Sequence, residues 1–198
     1  MKNLITRLFD LKKKWDMEKM YKNTDTWGRS KQLDQISSAV KMIPDKRYRR
    51  CLDVGTGLGY FAESVAGICD EVIAVDISDI AIVRARKRLY GVNIQFLEGN
   101  IRTIEFEKGF DLIILGEVLY YLGDKLMPSK FHQVLKQFYE LLYDHGRILI
   151  THHVIPKRDK RWFYAKYLEP LKTMGMIVEK EEEFKQNGKL WLHAVLKK

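Results

Sequence analysis

Three glycines alternate behind an acidic residue in the run Cys51-Leu52-Asp53-Val54-Gly55-Thr56-Gly57-Leu58-Gly59-Tyr60. Such a run lets a ligand approach the main chain closely, because glycine adopts the turn's backbone angles and places no side chain in the way. A second acidic residue ends the run Glu71-Val72-Ile73-Ala74-Val75-Asp76. It comes about 20 residues past the first glycines, where the next strand of a βαβ unit ends and a carboxylate can accept hydrogen bonds from both hydroxyls of a ribose. A dinucleotide fingerprint, G-x-G-x-x-G, would need glycine where Tyr60 stands, which disfavours a nicotinamide-dependent oxidoreductase. No Walker lysine followed by Ser/Thr occurs either, so the loop is a poor triphosphate cradle.

Alternating elements position these residues. Apolar runs ending at Val54 and Asp76, then Ile94–Glu98 and Phe110–Leu115, read as four strands, the fourth nearly all apolar as a central parallel strand should be. Between them, Phe61–Ala66 resumes as a helix, and Ser78 or Asp79 can cap another in which Ile80 and Val83 face inward. Phe131, Val134, Leu135, Phe138 and Leu142 give a later helix its inner face, and Asp144-His145-Gly146 turns the chain into a fifth strand over Arg147–Thr151. A helix through Trp162 to Met174 precedes two strand-like runs joined by Gln186-Asn187-Gly188, a hairpin signal that predicts an antiparallel last strand. At the other end, Leu4, Leu8, Leu11 and Trp15 recur at helical spacing and predict an amphipathic helix able to cap a cleft. Leu33, Ile36, Val40 and Ile43 mark a second helix, stopped by Pro44.

The 198 residues are 46% hydrophobic and 31% charged, which suits a single domain, with residues 1–45 as a helical cap and 46–198 as the core. No apolar run approaches the ~20 residues of a membrane span, and the N-terminus lacks a secretion signal's apolar core, so the expectation is a cytoplasmic protein with no membrane partner. Two cysteines, Cys51 and Cys69, lie in apolar surroundings and form no C-x-x-C pair; no metal constellation is visible. The net charge of +9 permits an RNA partner, yet the charge is spread along the chain and reads mainly as solvated helix faces.

Together, the Asp53–Gly59 loop and Asp76 resemble motifs I and II of the class I S-adenosylmethionine (SAM) methyltransferases. The segment Phe110-Asp111-Leu112-Ile113-Ile114-Leu115-Gly116-Glu117-Val118-Leu119-Tyr120-Tyr121-Leu122, with Tyr21 through Trp27-Gly28 and Lys160-Arg161-Trp162, is similar to the NodS-like branch, which methylates an amino group on a sugar unit of a chitooligosaccharide. The resemblance implies a Rossmann-like α/β fold with a seven-stranded, mostly parallel sheet, an antiparallel last strand and an N-terminal helical cap. It implies SAM as cofactor and S-adenosylhomocysteine as product. Gly55 and Gly57 would pass beneath the methionine part, with Asp53 acting on its amino group or bracing the loop. Asp76 would hold the ribose, Ile77 would lie against the adenine, and Asn100 and Ile101 would bond its edge. The Gly116 carbonyl would face the methionine ammonium, while Tyr21 and Trp27 would close over the cofactor or simply pack.

Methyl transfer from a sulfonium is an in-line displacement governed by alignment, and an amine acceptor must first lose its proton. Glu117 is the first candidate to bind and deprotonate it; the alternative is a carboxylate that bonds only the methionine portion or a helix end. His152, or its neighbour His153, is the second candidate base, against a structural role. No Asn/Asp-Pro-Pro-Tyr follows the fourth strand and no Pro-Cys nucleophile occurs, which disfavours base methylation. The reading is methyl transfer to an amine or hydroxyl of a small polar, sugar-like acceptor, with an RNA methyltransferase or a non-catalytic SAM-binding module as rivals. The oligomeric state is not encoded in any motif.

Overall fold

The computed structural model describes residues 2–22, 33–122, 128–155 and 160–198. Two helices, α1 (Lys2–Lys22) and α2 (Leu33–Lys41), precede β1 (Tyr48–Val54), α3 (Tyr60–Ala66), β2 (Cys69–Asp76), α4 (Asp79–Arg88), β3 (Ile94–Glu98) and β4 (Phe110–Gly116). The short α5 (Leu119–Leu122) and α6 (Pro128–Leu141) lead to β5 (Leu142–His153). A continuous helical stretch follows, α7 (Lys160–Phe163), a π-helical segment (Tyr164–Leu168) and α8 (Glu169–Thr173), before the hairpin β6 (Ile177–Gln186) and β7 (Lys189–Lys197). The sheet order is β3-β2-β1-β4-β5-β7-β6, with β7 antiparallel to both neighbours. The hairpin turns at Asn187 and Gly188, with φ 49° and 71°, the paired positive angles that match strand twist and that Asn-Gly tolerates.

Both faces of the sheet are buried. Ile113, Leu115, Ile148 and Ile150 meet Phe131, Val134, Leu135 and Phe138 of α6 on one face, while Leu112, Ile114, Leu149 and Val195 meet Ile36, Ala39, Phe61 and Ile82 on the other. α2, expected as part of the cap, instead packs on α3 and on β5, β6 and β7. Cys51 and Cys69 are buried free thiols.

Three local expectations are corrected. In α4, Val83 is 63% exposed, and Ala81, Ile82 and Ala85 are buried instead. The Ser78 hydroxyl, accepting from the Ala81 N–H, fixes the helix phase and so decides which residues meet the sheet. Asp144-His145-Gly146 is not a turn before β5 but lies within it, where the register with β4 shifts between Phe110 and Leu112 and His145 has φ 67°. The helix after β5 widens to i→i+5 bonding over Tyr164–Leu168. Pro170 comes next and has no N–H to give the Lys166 carbonyl, which an unbroken α-helix would require. In α1, Leu11 and Trp15 are 62% and 60% exposed, so this side of the helix points outward.

Candidate active site

A cleft opens at the carboxyl ends of β1, β2 and β4, where ligands of open α/β sheets gather. Its floor is the β1–α3 loop. Gly55, Gly57 and Gly59 have φ of 68°, 56° and 82°, and a Cβ on Gly57 would stand 2.7 Å from the Tyr21 hydroxyl. A Cβ on Gly55 would fall 2.4 Å from Val118 Cγ2. Space as well as backbone angle therefore demands glycine at both.

Asp53 lies under the loop and outside the cavity lining. Its Oδ2 accepts from Thr56 Oγ1 (2.6 Å) and from the Ala62 N–H (3.2 Å), tying the loop to the first turn of α3. Asp76 does line the cavity, and its two oxygens accept the N–H groups of Gly57 (2.9 Å) and Ser78 (2.9 Å). The carboxylate still has acceptor capacity for a ligand. Burial raises the Asp76 pKa above the usual carboxylate value, opposed by backbone hydrogen bonds from Ser78, Gly57 and Ile77.

Ile77, Asn100 and Ile101 form the adjoining wall. Asn100 Oδ1 accepts the Arg102 N–H at 3.1 Å, leaving its amide nitrogen and one lone pair toward the ligand. The side of α1 facing the cleft carries Asp10, Lys13, Met17 and Tyr21. It is fastened by an Arg102–Asp10 ion pair (3.1 Å), by Lys13 donating to the Tyr121 carbonyl, and by Arg84 donating to the Tyr21 carbonyl (2.7 Å). These polar fastenings explain the outward apolar stripe: the helix is docked by its charged side. Trp27 lies outside the described residues.

Gly116 and Glu117 close the far end. Glu117 is 4% exposed and has φ 60°, an angle that costs a non-glycine residue of order 1–3 kcal/mol and persists only where neighbours over-determine it. Thr151 of β5 is that neighbour. Its carbonyl accepts the Glu117 N–H (3.2 Å) and its hydroxyl donates to Glu117 Oε1 (3.3 Å).

His152 is a correction. It is 2% exposed, does not line the cleft, and has its ring stacked on Trp162 and Phe163 with Tyr120 and Tyr167 edge-on. Period-2 alternation sends it to the sheet face opposite Thr151. Tyr120 and Tyr121 both reach the cleft, their ring centroids 4.3 Å apart.

Two comparisons follow from this geometry. Residues 51–146 match the methyltransferase domain family. Nodulation protein S of Rhizobium tropici is 38% identical over 74 residues, 37% of this chain and 31% of that protein. Demethylmenaquinone methyltransferase of Lactococcus lactis subsp. lactis is 31% identical over 170 residues, 81% of this chain and 62% of that protein. Among solved structures, N-methyltransferase NodS from Bradyrhizobium japonicum WM9 in complex with S-adenosyl-L-homocysteine superposes with a TM-score of 0.76 at 20% identity, covering 93% of this chain and 97% of that one.

The chain has the class I methyltransferase fold, and its residues 51–146 match a methyltransferase domain. The aligned segments span only 31% and 62% of the two curated relatives' own lengths. The NodS likeness shows the shared fold, and the residues of the cleft fit the family's cofactor. Asp76 is an acidic group of the kind that the cofactor's ribose would need, and the glycine loop leaves the main chain open to the close approach that its methionine part would need.

Several residues of this chain carried no signal in the sequence. Thr151 is one. Its cross-strand partner His193 is another, 1% exposed, with no hydrogen bond to either ring nitrogen among the described residues. Burial pushes the His193 pKa down to about 4, opposed by the Leu192 backbone beside it. Gln35 of α2, fully buried on the same side of the sheet, is a third. No motif marks any of the three in the sequence, and only the pairing of β5 with β7 brings Thr151 and His193 together.

Proposed function

We propose that this protein transfers the methyl group of SAM to an amine of a small polar, sugar-like acceptor. The observation that carries the reading is Glu117: a buried carboxylate beside Gly116, fixed at an unfavourable backbone angle and aimed by Thr151 into the end of the cleft where the methionine part would end. Bound in this cleft, SAM supplies an electrophilic methyl group on a sulfonium. Glu117 pairs with the acceptor's ammonium, takes one proton onto a carboxylate oxygen, and leaves the nitrogen lone pair free to attack in line. Asp76 and the glycine loop hold the donor side still, so that alignment supplies several kcal/mol of the barrier. The NodS relatives, named as N-methyltransferases, point to the same acceptor class.

The test is a panel of amino sugars and simple polyols assayed for SAM-dependent methyl incorporation, with wild type and Glu117→Gln. Amines are expected to be methylated, and Glu117→Gln to reduce turnover by about 10²–10⁴-fold while S-adenosylhomocysteine still raises the melting temperature. Wild-type turnover in Glu117→Gln, or methylation of polyols alone, sinks the reading.

A further inference from the structure

α1 has two working faces, and the cleft uses only one. Asp10, Lys13, Met17 and Tyr21 look into the cavity. On the far side, Leu11 and Trp15 are 62% and 60% exposed, and Lys12, Lys19 and Lys22 are exposed beside them. Lys19 stands over the Trp15 ring at 5.4 Å.

An apolar stripe rimmed by lysines favours a particular partner. A second copy of this chain, itself carrying a net charge of +9, would bring lysines against lysines. RNA would satisfy the lysines and stack one base on Trp15, yet it would leave the exposed Leu11 beside that ring without an apolar partner. An anionic lipid surface satisfies both parts: aliphatic and indole side chains enter the boundary between headgroups and acyl chains, and lysines meet the negative headgroups. No helix among the described residues is long and apolar enough to cross a membrane, so the arrangement is one of lying on the surface.

We propose that the outward face of α1 docks this protein peripherally on anionic lipid bilayers, with Leu11 and Trp15 as the inserted side chains and Lys12, Lys19 and Lys22 as their electrostatic rim. The docked helix keeps its other face over the cleft, so the open end of the site stands next to the bilayer. This inference does not depend on the identity of the acceptor.

The test is co-sedimentation of the full chain with vesicles of phosphatidylcholine alone and of phosphatidylcholine with phosphatidylglycerol. The wild type is expected to pellet with the anionic vesicles only, and less so at high salt. Leu11→Ser/Trp15→Ser and Lys12→Glu/Lys19→Glu should each lower the bound fraction at least tenfold. Both variants should keep the wild-type thermal shift with S-adenosylhomocysteine, which shows that they fold. Failure of the wild type to pellet with anionic vesicles overturns the proposal, as does equal pelleting of Leu11→Ser/Trp15→Ser. Lipid-independent self-association lost in that variant would assign the stripe to a second copy instead. An RNA gel shift weakened by it in the same way would assign the stripe to nucleic acid, and either result also overturns the proposal.

Discussion

At the loop end of the cleft, ligand-facing geometry is held by main-chain groups: Asp76 is set by the N–H groups of Gly57 and Ser78, and Asp53 by that of Ala62 and the nearby Thr56 hydroxyl. At the acceptor end, Glu117 is set by a residue 34 positions away, Thr151, whose own neighbour His193 comes from a third strand. The first arrangement spans 29 residues of continuous chain, Asp53 to Ala81, if the cap at Ser78 is included. The second needs the sheet to be complete. A cofactor platform built locally can be kept while the acceptor end is rebuilt, which is how one fold serves different acceptors.

The sharpest way to break this comparison is at Gly57. Gly57→Val adds a branched side chain at φ 56° and 2.7 Å from the Tyr21 hydroxyl, and is expected to abolish cofactor binding. In the wild type, S-adenosylhomocysteine at a hundred times its dissociation constant should add about 2.7 kcal/mol and raise the melting temperature by about 5–11 °C. That shift should vanish in the variant; a preserved shift would show that the loop does not carry the cofactor.

The acceptor end can be probed through pH. His193 is held neutral, with its pKa lowered from 6.5 to about 4 by burial, so the unfolded chain binds a proton that the folded one refuses. Stability from this group is therefore complete above pH 6.5 and declines as pH falls toward 4, by on the order of 3 kcal/mol. Chemical denaturation of His193→Leu across that window should show a flatter acid limb than wild type. Equal slopes would mean that the imidazole is not sequestered.

A smaller effect is expected at Thr151. Thr151→Val removes the hydroxyl while keeping the carbonyl that accepts the Glu117 N–H, and should lower kcat about tenfold with unchanged S-adenosylhomocysteine binding. Thr151→Ser should recover most of the loss. If Thr151→Val weakens cofactor binding and turnover together, the two ends of the cleft are not separable and the contrast fails.

Much of this organisation was legible in the chain. The glycine spacing, Asp76 and the Asn187-Gly188 turn are local patterns in which each residue's backbone requirement is satisfied within a few positions, and the structure places them accordingly. His152 was read from local pattern too, and there the pattern left both a catalytic and a structural role open. A histidine after the fifth strand points to either face of the sheet depending on register alone, and the shift between β4 and β5 near Gly146 is set by pairing rather than by sequence. Likewise, the apolar spacing of Leu11 and Trp15 marks one face of α1 but does not say what that face meets. Arg102, Arg84 and the Tyr121 carbonyl, all remote in sequence, turned the helix so that its polar side covers the cleft.

The sequence by itself determined the order of elements, the cofactor loop and the acidic residue that accompanies it, because those depend on backbone angles and short-range hydrogen bonds. Only the tertiary structure decided which carboxylate closes the far end of the cleft, which histidines are sealed away and which side of the first helix is exposed. Those outcomes turn on strand register and on contacts between residues tens of positions apart.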